Sequence, residues 1–290
     1  MILIDSICKK NNIKDKFVRK DTKFNNNRLF IGCYYVIKLY PREKEKYFFN
    51  EISMYKKLDN KKFLPKLINY GEVDGVKYII ITKIDAIPIY EVWNDCNEIE
   101  RKNIIMQISN IIKGINDISF FNGKVNFKTA IKDEYDNNIR DIDIDYNLLM
   151  QINKFSEEVF RLIDYNEKMM TIYSDFHFNN FLIDKNKNVY VVDFESISIG
   201  PIDYQIASIS RQCVNPEIEA EEYIIIKKND YKKILKYFYK YYRSMFDNSN
   251  WDKRVKLYNI IYHLKAVKNK KASSQILIDE LERNYLYGNL

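Results

Sequence analysis

Three side chains in the stretch 172–195, IYSDFHFNNFLIDKNKNVYVVDFE, are suited to chemistry and spaced so that they can meet. Asp175 and Asn180 lie five positions apart, and Asp193 closes the stretch. Two apolar runs, 181–183 and 189–192, flank the turn-forming sequence Asp184-Lys185-Asn186-Lys187-Asn188. That order predicts a loop, a short strand, a tight turn and a second short strand with an acidic end. Such a hairpin holds Asp175 and Asn180 on one side and returns Asp193 beside them. Oxygen ligands of this kind suit magnesium, which is usually held by one or two carboxylates together with substrate phosphates. They also suit phosphoryl transfer, where an Asp accepts the proton of the attacking hydroxyl and an Asn and a second Asp hold metal ions on the nucleotide phosphates. A hairpin with solvated acids is the plainer reading of D-x-x-x-x-N taken alone. The two-strand context and the terminal Asp favour the chemical one.

The elements that must position these groups begin upstream. Segment 17–40 predicts two strands around the polar turn Asn25-Asn26-Asn27, and 28–40 is rich in Tyr, Val, Ile and Leu. Lys38 sits inside that apolar strand, where a lysine either snorkels to the surface or points into a cleft. Segment 43–58 predicts a helix with Phe48, Ile52, Tyr55 and Leu58 on one face and Glu51 near its middle. A strand lysine followed by a helical glutamate is the pair that positions nucleotide phosphates in kinases. The Asp74-Gly75 turn joins the next strands, and 76–84 reads as a buried strand. Asp85-Ala86-Ile87-Pro88 breaks the pattern, so the boundary between an N-terminal unit, 1–84, and a C-terminal unit, 85–290, is placed there. Thr82 and Ile84 then bracket a hinge whose backbone N–H and C=O groups can read an adenine edge. The remainder is mainly helical, with apolar stripes over 98–118, 148–163, 231–242, 251–267 and 273–287. Segment 123–145 reads as irregular and polar.

Composition narrows the class. The 290 residues carry 46% hydrophobic and 15% aromatic content, enough for one large or two modest cores. The 47 basic and 40 acidic residues are well mixed, with no basic stripe, so nucleic acid is not an expected partner. Cys8, Cys33, Cys96 and Cys213 are scattered and form no C-x-x-C pair, which predicts reduced thiols in a cytoplasmic protein. The apolar start is too short for a signal peptide, and no run approaches the ~18 apolar residues of a membrane span, so no membrane role is expected.

With these motifs assembled, the chain resembles the aminoglycoside phosphotransferase and choline kinase superfamily. The resemblance rests on YSDFHFNNFLID, VVDFE and GPIDYQIASI, and extends over roughly 17–210. It implies an α+β, bilobal protein-kinase-like fold: a small antiparallel β-sheet lobe with one helix, and a larger, mainly helical lobe. It implies Asp175 as catalytic base and Asn180 and Asp193 as metal ligands. Lys38 and Glu51 match the phosphate-binding lysine and its helical partner. His177 matches a hydrogen-bonding residue that shapes the catalytic loop, and Asp203 a structural residue that braces it. Tyr173 and Ser174 stand where the family usually has His and Gly, and the nucleotide-covering loop near 23–28 contains no glycine. No Arg precedes Asp175 and no A-P-E element follows, which argues against a protein kinase switched by activation-loop phosphorylation.

The implied activity is transfer of a phosphoryl group from ATP or GTP, with Mg2+, to a hydroxyl of a small molecule. Because family acceptors are often cationic, an aminoglycoside or an amino alcohol such as choline is expected. Glu195, Glu217 and Glu221, with the aromatic face of Tyr204, are candidate acceptor contacts, since carboxylates and aromatic rings both attract ammonium groups. The alternative is a catalytically weak kinase-fold binding or assembly protein, as in spore-coat relatives of the family.

Overall fold

The structure is a computed structural model and describes residues 2–20, 28–119, 126–218 and 220–285. In chain order its elements are α1 (Ile2–Lys10), β1 (Val18–Lys20), β2 (Arg28–Ile31), β3 (Tyr35–Tyr40), α2 (Glu45–Lys57), β4 (Leu67–Val73), β5 (Val76–Thr82) and β6 (Ala86–Pro88). Then come α3 (Ile89–Trp93), α4 (Glu98–Asn116), α5 (Phe127–Ile139), α6 (Tyr146–Phe160), β7 (Met170–Tyr173), β8 (Phe181–Asp184) and β9 (Val189–Val191). The chain continues through β10 (Ile197–Gly200), α7 (Ile202–Val214), α8 (Ile234–Tyr241), α9 (Trp251–Lys268) and α10 (Gln275–Glu282). These form two compact units. One comprises Met1–Ile111, Asp175–Ile197 and Pro216–Lys227, the other Ile112–Ser174, Ser198–Asn215 and Lys228–Leu290. The α+β class expected from the sequence is the one observed.

The first unit is built on a five-stranded antiparallel sheet in the order β1-β2-β3-β5-β4. Strand alternation sends Ile37 and Leu39 to one face and Lys38 and Tyr40 to the other. On the first face Ile37, Leu39, Tyr78 and Ile80 pack with Ile4 and Ile7 of α1. On the second, Tyr40 and Ile79 pack with Phe48 and Ile52 of α2. Helix α1 lies where the sequence predicts no element. The β4–β5 hairpin closes through Asp74 (φ 52°) and Gly75 (φ 74°), the pair of positive φ angles that a two-residue turn of this twist requires.

Two expectations need correction. The run 28–40 is two strands rather than one. Its break at 32–34 is fixed by Asp15, whose carboxylate accepts the backbone N–H groups of Cys33 and Tyr34 at 2.9 Å each. A side chain on Gly32 would run into that carboxylate and push it off the two N–H groups it holds. The irregular stretch expected at 123–145 contains α5. Asn126 caps it by accepting the Thr129 N–H at 3.1 Å, and Phe127, Ile131 and Tyr135 bury one face at a spacing of four. The turn Asn25-Asn26-Asn27 and the loop at 23–27 lie outside the described residues.

The second unit is organised on α9. Buried residues appear on nearly every side of this helix, from Trp251 to Leu264, as befits a core helix. Helices α5, α6, α7 and α10 pack against it. Arg254, on α9, is fully buried, and its guanidinium pairs with Glu167 and with Asp203, the latter at 2.8 Å. Among the described residues no helix is long and apolar enough to cross a membrane.

Candidate active site

Every group of the site described here lies in the first unit. Lys38 enters it from β3, and its ammonium is aimed inward. Nζ lies 2.8 Å from Glu51 Oε2, 3.0 Å from Asp193 Oδ1 and 3.2 Å from Glu195 Oε2. The lysine is only 8% exposed, so it points into the cleft and does not snorkel. Burial works to lower the Lys38 pKa, but Asp193, Glu51, Tyr40 and Glu195 outweigh it and hold the ammonium charged. Burial pushes the Glu51 carboxyl up, against the pull of Lys38. Tyr40 lies two residues beyond Lys38 on the same strand face. Its hydroxyl contacts Glu51 Oε2, and its ring centre is 5.4 Å from Lys38 Nζ. Period-two alternation was enough to nominate Tyr40, which the sequence reading passed over.

The hairpin β8–β9 supplies the second half of the site. Its register pairs Phe181 with Val191 and Ile183 with Val189. Asp184 nucleates the turn by accepting the N–H groups of Asn186 and Asn188. The hairpin is extended by a bond from the Val192 N–H to the Asn180 carbonyl at 2.9 Å, which brings Asp193 back beside Asn180. Asp193 itself has φ 65°. A non-glycine residue in that region costs on the order of 1 kcal/mol. Neighbours hold it there: Phe194 is buried edge-on against Tyr55 of α2, and Asn50 Nδ2 donates to the Glu195 carbonyl at 3.1 Å.

Asp175 faces the same space with its side chain 42% exposed. Burial works to raise its pKa. Hydrogen bonding and charge from His177, the Asn180 amide and the Lys38 charge outweigh that and hold the carboxyl below its usual range. His177 Nε2 is 3.5 Å from Asp175 Oδ2 and 3.0 Å from Asn180 Nδ2. Asn180 Nδ2 also donates to the Asp175 backbone carbonyl at 3.1 Å. With its amide nitrogen spent on the loop, Asn180 Oδ1 receives no hydrogen bond among the described residues and is available to a cation. Glu51, Asp193 and Glu195 each offer an oxygen within 4.8 Å of the others. The Lys38 ammonium sits among these three oxygens, so the hard donors left to fit magnesium are Asn180 Oδ1 and the Asp193 carboxylate.

These groups line a cavity of about 660 Å³. Leu29, Ile31, Val36 and Ile81 come from the sheet, and Leu182 and Val192 from the hairpin. Thr82 and Ile84 line it too, with the Thr82 N–H bonded to the Lys66 carbonyl at 2.9 Å. The slot between the two apolar walls suits a flat base, and the carboxylate end suits metal-bound phosphates. Lys20 and Lys44 are further lining residues that no sequence signal marked. The candidate acceptor contacts do not all arrive. Glu195 lies against Lys38, and Glu221 lines the cavity. Glu217 is exposed in the turn Pro216–Ile218 and does not line it. Tyr204 belongs to α7 in the second unit, its ring edge-on to Phe127 and Tyr258. Asp203 is buried one residue earlier, with its carboxyl pushed up to about 7 by burial against the pull of Arg254.

A family model described as the phosphotransferase enzyme family matches residues 22–232. The chain belongs to that family. The phosphotransferase is similar in fold to solved aminoglycoside phosphotransferases. Against aminoglycoside phosphotransferase APH(4)-Ia the TM-score is 0.68 at 13% identity, over 96% of this chain and 95% of the other. Against the streptomycin–ATP complex of APH(2'')-IIa it is 0.65 at 17% identity, over 97% and 94%. A ternary complex of a thermostable APH(4)-Ia mutant with ADP and hygromycin B gives 0.66 at 13%, over 97% and 96%. No curated protein sequence matches. The bilobal kinase-like fold expected from the motifs is therefore the fold of this phosphotransferase.

Proposed function

We propose that this phosphotransferase moves the γ-phosphoryl group of ATP, or of GTP, to a hydroxyl of a small cationic molecule. The observation that carries the reading is Lys38 held by Glu51, Asp193 and Glu195 in the cavity that also receives Asp175 and Asn180. Asp175 accepts the proton of the attacking hydroxyl, and its depressed pKa keeps it ionised at neutral pH. His177 and Asn180 fix the rotamer of that carboxylate. Lys38 binds phosphate oxygens, and Glu51 keeps the ammonium in place. Asn180 and Asp193 hold Mg2+, which supplies charge neutralisation on the phosphates. Ile84 contacts the base edge, and Thr82 does so through its carbonyl, because its N–H is bonded to Lys66. A cationic acceptor is supported by the partly exposed Asp175 carboxylate in the cavity, and by the gentamicin, streptomycin and hygromycin B named with the structural neighbours. The four free cysteines suit the reducing environment of the cytoplasm.

The test is thermal unfolding with ATP or GTP, with and without magnesium. At ~100 times its dissociation constant a nucleotide adds about 2.7 kcal/mol to stability. We expect that gain with magnesium, and in Asp193→Ala we expect magnesium to stop mattering. No shift with either nucleotide would end the enzyme reading and favour a binding or assembly role. A panel of aminoglycosides, amino alcohols and neutral sugars, assayed by ADP release, tests the acceptor class. Turnover confined to neutral or anionic sugars would refute the cationic assignment.

A further inference from the structure

The segment 216–227 belongs to the first unit and is pinned to α3, the helix that directly follows β6. The Tyr90 hydroxyl donates to the Pro216 carbonyl at 2.8 Å, and the Tyr223 hydroxyl to Glu91 Oε1 at 3.3 Å. Asn94 ties down the far end, its amide nitrogen donating to the Ile225 carbonyl and its Oδ1 lying 3.5 Å from the Lys227 N–H. Pro216 and Ala220 are buried, so the segment is seated and not merely draped. Between these anchors Glu221 and Tyr223 turn into the cavity, along with Thr82, Lys83, Ile84 and Pro88. Pro88 is paired in register with Leu182, which floors the slot for the base. The anchors therefore hold Glu221 on the cavity wall beside the start of α3, which directly follows Pro88.

Glu221 is half-buried, and among the described residues its carboxylate accepts no hydrogen bond and pairs with no cation. A half-exposed carboxylate with no protein partner is available to neutral O–H donors or a cation and repels a phosphate. We infer that Glu221 binds the ribose 2′- and 3′-hydroxyls of the nucleotide, which makes the 216–227 segment part of the donor site and not of the acceptor site. A nucleotide whose base lies in the apolar slot and whose phosphates reach Lys38 places its sugar between the two. A vicinal diol offers two donors to the two carboxylate oxygens, and charge-assisted hydrogen bonds of this kind are the stronger ones. The assignment rests on the nucleotide reading of the cavity.

Calorimetry with the magnesium complexes of ATP and 2′-deoxy-ATP tests it without any acceptor. Wild-type protein should bind ATP about tenfold more tightly than 2′-deoxy-ATP, the scale of one hydrogen bond to a charged group. Glu221→Ala should lose that preference by weakening ATP alone, leaving 2′-deoxy-ATP affinity as it was. Loss of folding at this half-exposed position would lower both affinities together, and Glu221→Gln, which keeps the shape, then gives the same comparison. An unchanged preference in both variants overturns the inference, as does equal wild-type affinity for the two nucleotides, while leaving the nucleotide reading intact. A wild-type protein that binds neither nucleotide overturns both. A raised acceptor KM in Glu221→Ala with the nucleotide preference preserved would assign the carboxylate to the acceptor instead.

Discussion

Asp175→Asn should lower phosphoryl transfer by roughly 10²- to 10⁴-fold, the usual contribution of a positioned acid–base group. Nucleotide affinity should change little. The substitution keeps the size and shape of the side chain and its reach to His177 Nε2 and the Asn180 amide. Lys38, Asp193 and Glu195, whose oxygens and ammonium converge elsewhere in the cavity, are left as they were. What disappears is the carboxylate proposed to accept the proton. The pH profile adds a second check. His177, Asn180 and Lys38 together hold the Asp175 carboxyl below its ordinary value, against the effect of burial. Wild-type turnover should therefore persist as pH falls through the ordinary carboxylate range and decline only below it. Single-turnover measurements that show wild-type rates in Asp175→Asn, or an acid limb near neutrality that vanishes with it, would remove Asp175 from the role of base.

Arg254→Ala should cost about 3–5 kcal/mol of stability, the scale found when one partner of a buried ion pair is removed. Arg254 is wholly buried on α9, and both Glu167 and Asp203 depend on its charge. Asp203 is the more exacting partner because it is 1% exposed, whereas Glu167 retains contact with water. Even with the guanidinium beside it, the Asp203 carboxyl is pushed up to about 7 by burial. The sign of the pH effect follows. An acid whose folded pKa is raised contributes stability below its unfolded value and loses it as pH rises through the folded value. Without Arg254 the folded pKa rises further. Once pH passes the folded value the wild type stops losing stability on this account, whereas the variant, with its higher folded value, goes on losing it. The deficit of the variant should therefore be larger at pH 8 than at pH 6. Chemical denaturation at the two pH values measures it, and Asp203→Asn in the Arg254→Ala background should abolish the difference. A deficit below about 1 kcal/mol, or one that shrinks with rising pH, would mean that water or a rearranged neighbour replaces the guanidinium.

The sequence alone determined the parts whose signals are local. Asp184-Lys185-Asn186-Lys187-Asn188 between two apolar runs specifies a hairpin, and the hairpin brings Asp193 back to Asn180, because turn chemistry and strand period act over a few residues. Asp74-Gly75 specifies its turn for the same reason. The pairing of Lys38 with Glu51 was legible only in part: strand and helix were evident, but the ammonium's direction was open until packing of Phe48 and Ile52 on the sheet set it. Long-range placement was decided by tertiary structure. Nothing near Glu195 in sequence says that its carboxylate meets Lys38, 157 positions away, since Asn50 and Tyr55 of α2 fix the backbone on either side of it. Nothing local marks Arg254 for burial; α9 is buried on nearly every side, and the charge then finds Asp203 and Glu167. The break at Gly32 depends on a carboxylate from Asp15, and the place of Glu221 depends on anchors to α3 more than 120 residues upstream. Turn and strand propensities are written into neighbouring residues, whereas the partner of a buried charge is set by which surfaces meet when the core closes.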